Sequence, residues 1–192
     1  MTSTSRVSWP ALALLLAAGA LAMGGAASAD WDWQPSLVLT QPWRAWTAAA
    51  VHFSAMHLGA DLAGCAAVGA FGVAAGCGWR ATLAWFIAWP LTQAALMIEP
   101  ALAHYGGLSG VLHAGVAVAA CQVLAGSRRR WIGSAVLAGL ALKLLLEQPW
   151  REPLRQWPGW DIAIAPLAHA TGALAGLVCA ALLLSWPTRI AR

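Results

Sequence analysis

The chain has 192 residues, 60% of them hydrophobic and only 9% charged, with a formal net charge of +4. A soluble domain carries about 25% charged residues, so this composition excludes both a water-facing surface wrapped around a core and intrinsic disorder. The basic residues are scattered apart from Arg128-Arg129-Arg130, and the absence of a basic stripe interleaved with aromatics argues against a nucleic-acid partner.

What remains is an all-α polytopic membrane protein forming one domain over 1–192. Six segments lack Asp, Glu, Lys and Arg: 7–29, 62–79, 81–98, 100–127, 131–142 and 162–188. A spanning helix needs about 20 apolar residues, and the pattern predicts six spans near 9–29, 53–78, 81–98, 109–126, 131–147 and 163–185. The first could be read as a cleavable export signal, because Arg6 precedes it and Ala27-Ser28-Ala29 follows. Its apolar stretch is longer than a usual signal core, and a retained span is expected. The second begins with His52, His57 and Asp61. The fourth opens at Ser109 and carries His113. The fifth is marginal in length, with Lys143 and Glu147 near its end. The sixth carries His169. Gly and Ala are abundant throughout, as close helix packing in lipid requires. Segments 30–51 and 148–161 are the substantial loops, both rich in Trp and Pro, and no internal repeat is visible. Cys65, Cys77, Cys121 and Cys179 fall inside spans without a CxxC pair and read as small apolar residues.

Charge sets the expected orientation. With both termini in the cytoplasm, Arg6, Arg80, Arg128, Arg129, Arg130, Arg189 and Arg192 lie inside, while Asp30, Asp32, Glu99, Glu147, Glu152 and Asp161 lie outside. That bias follows the positive-inside rule. The tryptophans sit mostly at span ends: Trp31, Trp33, Trp43, Trp46, Trp150, Trp157 and Trp160 outside, Trp79, Trp131 and Trp186 inside. Such belts mark the two interfaces.

Polar residues inside a membrane are costly and are candidates for function. Here they all lie toward the outer helix ends. At 1.5 Å per residue, Ser109 sits about 27 Å and His169 about 26 Å from the inner boundary, and His57 about 33 Å. Ser109 and His169 therefore share one depth just below the outer edge of a core about 30 Å thick. A serine hydroxyl becomes a nucleophile when a base takes its proton, and a neutral imidazole at the same height can do so. Gly106-Gly107-Leu108-Ser109-Gly110 surrounds the hydroxyl with residues that permit close backbone approach. Ser109 opens a helix, whose free N–H groups can stabilise an oxyanion. By itself Gly-Leu-Ser-Gly also reads as a small-residue packing seam.

Three stretches, in order, resemble the rhomboid family of intramembrane serine proteases: His52 to Asp61 on the second span, Gly107-Leu108-Ser109-Gly110 opening the fourth, and Ala168-His169-Ala170-Thr171-Gly172 with Gly176 on the sixth. The likeness runs from about residue 43 to residue 184. Gly107 to His113, and Lys143 with Glu147-Gln148, most resemble the rhombosortase subgroup. The resemblance implies a six-span bundle in a bacterial inner membrane with its site facing the periplasm. It implies cleavage of exported proteins that carry a Gly-Gly-type C-terminal tail with a transmembrane helix, with release to water or transfer to another acceptor. No cofactor or metal is expected.

Carried over by residue, Ser109 would be the nucleophile and His169 the general base, in a family that uses a dyad without a third acid. His57 and the Ser109 N–H would line the oxyanion site. Gly107 and Gly110 would flank the nucleophile. His113 would stack on the His169 ring, and Gly172 and Gly176 would let the sixth helix pack on the fourth. Asp61 departs from the family's Asn: a protonated Asp61 could donate like Asn, or an ionised one could accept from His57. Lys143 and Glu147 read as an i,i+4 ion pair, or Glu147-Gln148 as a substrate-recognition or gating element. His52 is expected to brace the loop after the first span, and His104 to be solvated or to structure its loop. Two other readings compete. One is an inactive rhomboid-like binding protein or chaperone. The other is a histidine-ligated haem or metal protein, in which Gly-Leu-Ser-Gly has no role.

Overall fold

The computed structural model describes residues 4–24, 28–126 and 129–184. Its helices are α1 (Thr4–Met23), α2 (Ser28–Trp31), α3 (Arg44–Thr47), α4 (Ala55–Ala74), α5 (Trp79–Ala94), α6 (Ser109–Ala125), α7 (Arg130–Glu147) and α8 (Pro166–Leu184). Local chemistry sets several of their ends. Ser54 caps α4, its hydroxyl accepting the His57 N–H at 3.0 Å. Pro166 stands at the first position of α8, where its missing N–H costs nothing. α7 stops where Gln148 turns left-handed, φ 52°.

Three helical segments are long and apolar enough to cross a membrane: Ala55–Ala74, Trp79–Ile98 and Pro166–Leu184. Val7–Met23 and Ser109–Ala125 are shorter apolar helices. α7 is 18 residues long and includes Arg130, Lys143 and Glu147. The outward surface is apolar, with Leu14, Leu21, Leu145, Leu146, Leu174 and Leu182 all exposed. Ala27, Arg128, Trp186, Arg189 and Arg192, which entered the orientation and signal-peptide expectations, lie outside the described residues, as do 25–26 of the first expected span and 185 of the sixth.

α6 is the central rod. Gly110, Val111, Leu112, Ala114, Gly115 and Ala117 to Ala120 are buried, and a helix apolar on all sides belongs inside a bundle. It packs chiefly on α8, and also on α5, α4 and α7; α1 lies on α4 and α5. The core joins Trp9, Leu16, Val68, Trp85, Val111 and Val118. The two indoles of this core each bring their N–H to a carbonyl: Trp9 donates to Val68 O at 3.1 Å and Trp85 to Val111 O at 2.8 Å. All four cysteines are free, three of them buried.

Both expected loops carry structure, so the chain is not purely helical. In 148–161 and just beyond, β1 (Arg155–Gln156) pairs antiparallel with β2 (Ala163–Ile164), Arg155 opposite Ile164. Gly159, at φ 86°, lies in the turn between them. Ser54 donates to Asp161 at 2.8 Å and ties this hairpin to the start of α4. Segment 30–51 holds α2, α3 and short 3-10 turns, organised by a buried cation. The Arg44 guanidinium pairs with Asp32 at 3.2 Å and donates to the Ala29 and Asp32 carbonyls and to Gln41. Trp33 and Tyr105 exchange backbone hydrogen bonds of 2.7 and 2.9 Å. Through that bridge the segment holds the residues just before Ser109.

The α6–α8 seam is the tightest contact that bears on the site. A Cβ at Gly172 would collide with the Gly110 carbonyl, and one at Gly176 would stand 2.5 Å from Ala114 O. Gly172→Ala is therefore expected to destabilise the fold by about 1–3 kcal/mol, the usual cost of overpacking, and to separate the two helices. Thermal unfolding in detergent measures it; a variant as stable as wild type would contradict this account of the seam.

Candidate active site

Ser109 is the first residue of α6, and His169 lies in the first turn of α8. The close helix approach brings Ser109 Oγ within 3.0 Å of His169 Nε2. The chain reaches Ser109 through Gly107, whose φ of +128° favours glycine. A Cβ at Gly107 would stand 2.6 Å from His57 Nε2, so glycine also makes room for that ring. The Gly107 N–H donates to Ala48 O at 2.9 Å, fixing the turn to the preceding segment. A Cβ at Gly110 would meet the Ala168 carbonyl at 2.7 Å, so this glycine too belongs to the seam.

The opposite nitrogen of the His169 ring has acquired a partner. Glu147 Oε2, at the end of α7, lies 2.8 Å from His169 Nδ1. Lys143 donates to Glu147 Oε1 at 2.6 Å and lies 3.3 Å from the same ring nitrogen. The ion pair expected from i,i+4 spacing is present, and its carboxylate also reaches across to α8. His113 stacks on His169 with centroids 4.3 Å apart and 13° between planes. Its Nδ1 donates to the Ser109 carbonyl at 2.6 Å. Gln148 stands apart: it lines a small cavity of about 80 Å³ with Arg151, Glu152 and Arg155, and does not line the cavity that holds Ser109.

On the other side of Ser109, Asp61 Oδ2 is a hub. It accepts the Leu108 N–H at 2.7 Å and faces His52 Nε2 at 3.0 Å and His57 Nε2 at 3.4 Å. His52 Nδ1 lies 3.1 Å from the Ala50 carbonyl. A carbonyl only accepts, so Nδ1 carries a proton. The nearer imidazole partner of Asp61 is thus His52 rather than His57. These three ligand atoms lie within 4.8 Å of one another and are the group among the described residues that could hold a metal ion. His104, for its part, pairs with buried Asp32 at 2.7 Å.

Tyr105 escaped the sequence reading. It is the sole tyrosine of the chain, four residues before Ser109, and its buried hydroxyl donates to Gly107 O at 3.3 Å. Burial pushes its phenol well above the usual range, so the side chain is a neutral donor. Its position four residues before Ser109 is the signal that could have drawn attention to it.

These groups share a cavity of about 310 Å³ lined by His57, Tyr105, Ser109, His169, Trp157 and Ile164, among others. Leu154 and His104, both exposed, belong to its wall, so it reaches the surface. Chemically it combines a hydroxyl, an imidazole in contact with it, and backbone N–H groups at a helix start. Neither a scan against models of known protein families nor a search of curated proteins returns a match for this chain.

Asp61→Ala would leave the Leu108 N–H buried without its acceptor. A stability loss of about 1–3 kcal/mol is expected, whereas Asp61→Asn keeps an acceptor there and should cost less. Unfolding midpoints of the two variants, compared in one detergent, check the order; equal midpoints would show that the hub does not hold the turn.

Proposed function

We propose that this chain is an intramembrane serine protease of rhomboid type, with Ser109 as nucleophile and His169 as general base. The observation that carries the proposal is the 3.0 Å contact between Ser109 Oγ and His169 Nε2 within a cavity that reaches the surface. Six membrane passages with both termini cytoplasmic agree with the distribution of Arg and Trp. That orientation directs the cavity to the periplasmic side of a bacterial inner membrane.

The residues suit acyl transfer in two steps. His169 Nε2 takes the Ser109 proton as Oγ bonds to the scissile carbonyl carbon. The negative charge passes to the carbonyl oxygen, where the Ser109 N–H and His57 are the proposed donors. Collapse breaks the C–N bond, and His169 returns the proton to the leaving amine. Water entering from the cavity attacks the acyl-enzyme, giving its proton to His169, and Ser109 recovers that proton when the C–Oγ bond breaks. An amine in place of water would transfer the chain to a new acceptor by the same route.

A helical peptide bond is shielded by its own hydrogen bonds, so the substrate segment has to unwind before attack. Glycine eases unwinding, since it weakens a helix by about 1 kcal/mol relative to Ala. This supports exported proteins with a Gly-Gly-type C-terminal tail and a transmembrane helix as the substrate class, in the manner of rhombosortases. An inactive rhomboid-like binding protein would generally lack the Ser or the His, and both are present here.

Co-expression with a Gly-Gly-tailed exported protein tests the reading. Tail removal is expected with wild type and is expected to be lost in Ser109→Ala and in His169→Ala, scored by the size of the released protein. Unchanged removal in both variants would eliminate the protease.

A further inference from the structure

We infer that Glu147 is the positioning residue of a three-membered Ser109–His169–Glu147 array, and that Lys143 sets the orientation of its carboxylate. The inference rests on the protease reading above and deepens it, because that reading needs only the two residues in direct contact.

The argument is one of donors and acceptors. For His169 to act on Ser109, Nε2 must present a lone pair, so the proton of the neutral ring must sit on Nδ1. Two groups face Nδ1, and they ask for opposite tautomers. An ammonium only donates, so Lys143 alone would draw a lone pair onto Nδ1 and leave the proton on Nε2, where it blocks the base. A carboxylate only accepts, so Glu147 draws the proton to Nδ1 and frees Nε2. The distances decide between them: Glu147 Oε2 lies at 2.8 Å and Lys143 Nζ at 3.3 Å. Lys143 has its own shorter bond, 2.6 Å to the other carboxylate oxygen. Each donor therefore takes one oxygen. As His169 becomes an imidazolium during attack, the same carboxylate lies against the new charge and favours it. Glu147 is buried and the Lys143 side chain is 44% exposed, so the ammonium balances a carboxylate largely withdrawn from water. His113 holds the ring plane by stacking at 4.3 Å, leaving Glu147 to set which nitrogen is protonated.

This arrangement makes an unusual prediction for Glu147→Gln. The amide has one acceptor and one donor end, and Lys143 demands the acceptor. The amide NH₂ is then left facing His169 Nδ1 and enforces the wrong tautomer. Removing the ammonium as well, in Lys143→Met with Glu147→Gln, frees the amide to turn its oxygen toward Nδ1 and restore the right one. A purely structural Glu147 would give the opposite order, the double variant being worse.

The experiment measures cleavage of a Gly-Gly-tailed substrate by purified full-length protein, with Ser109→Ala as the control that tests the protease reading independently. Glu147→Gln is expected to lower kcat by about 10²–10⁴-fold with little change in KM. The double variant is expected to recover at least tenfold over Glu147→Gln (an order-of-magnitude expectation from tautomer control). ¹⁵N NMR of histidine-labelled protein, assigned with His169→Gln, reads the tautomer with no substrate present. The proton is expected on Nδ1 in wild type and on Nε2 in Glu147→Gln. A wild-type kcat in Glu147→Gln, a double variant no faster than the single, or an unchanged His169 tautomer would each overturn the inference. Activity that survives Ser109→Ala would instead remove the protease reading beneath it.

Discussion

The close approach of α6 and α8 is the constraint on which the site depends. Gly110 and Gly172 stand where no Cβ can be accommodated, and Gly176 repeats the condition one turn deeper against Ala114. With small residues on both sides, the backbones approach closely without a hydrophobic driving force between the helices. Ser109 and His169 each lie beside this seam, at the starts of their helices. Their hydrogen bond is thus set by backbone packing rather than by side-chain flexibility, and it inherits the stiffness of two long rods.

Around that contact the polar groups are arranged in two networks on opposite sides of Ser109. One runs from Ser109 through His169 to Glu147 and Lys143. The other runs from the Leu108 N–H through Asp61 to His52 and the Ala50 carbonyl, with His57 alongside. In a low-dielectric interior an unpaired polar group is costly, and a satisfied chain of donors and acceptors is correspondingly rigid. The first network surrounds the His169 ring. The second holds the Leu108 N–H in the turn just before Ser109. Tyr105 and the backbone bridge to Trp33 extend that second support into the segment organised by Arg44 and Asp32. The hairpin β1–β2 closes another side of the cavity, with Ala163 and Ile164 in its wall.

Much of this was legible in the residues alone. Apolar segments free of charge locate the helices, because burying an unpaired charge in lipid is prohibitive. Counting 1.5 Å per residue gave Ser109 and His169 one expected height, and the resemblance of the Gly172 and Gly176 stretch implied a close approach of the sixth helix to the fourth. The pattern could not tell which way each helix faces. α6 is apolar on every side, so no stripe reveals its rotation, and α7 carries too few polar residues to reveal its own. Hence the Lys143–Glu147 pair was visible as an i,i+4 spacing, while its reach to His169 was not. Gln148, one residue further on, shared the same sequence signal, yet the left-handed turn at that residue takes it out of the Ser109 cavity. The pairing of His52 with Asp61 depends on a loop conformation, and the hairpin in 148–161 on a turn at Gly159; neither has a period to read.

Sequence by itself determined the chemical inventory and where it falls along the chain: which residue types stand near the ends of which helices, for the reason that apolar helices admit so few of them. Tertiary structure alone decided which of those residues touch. Helix rotation and loop path are set by packing across the whole bundle, and a rotation of one residue, about 100°, would have turned Glu147 away from the imidazole it now holds.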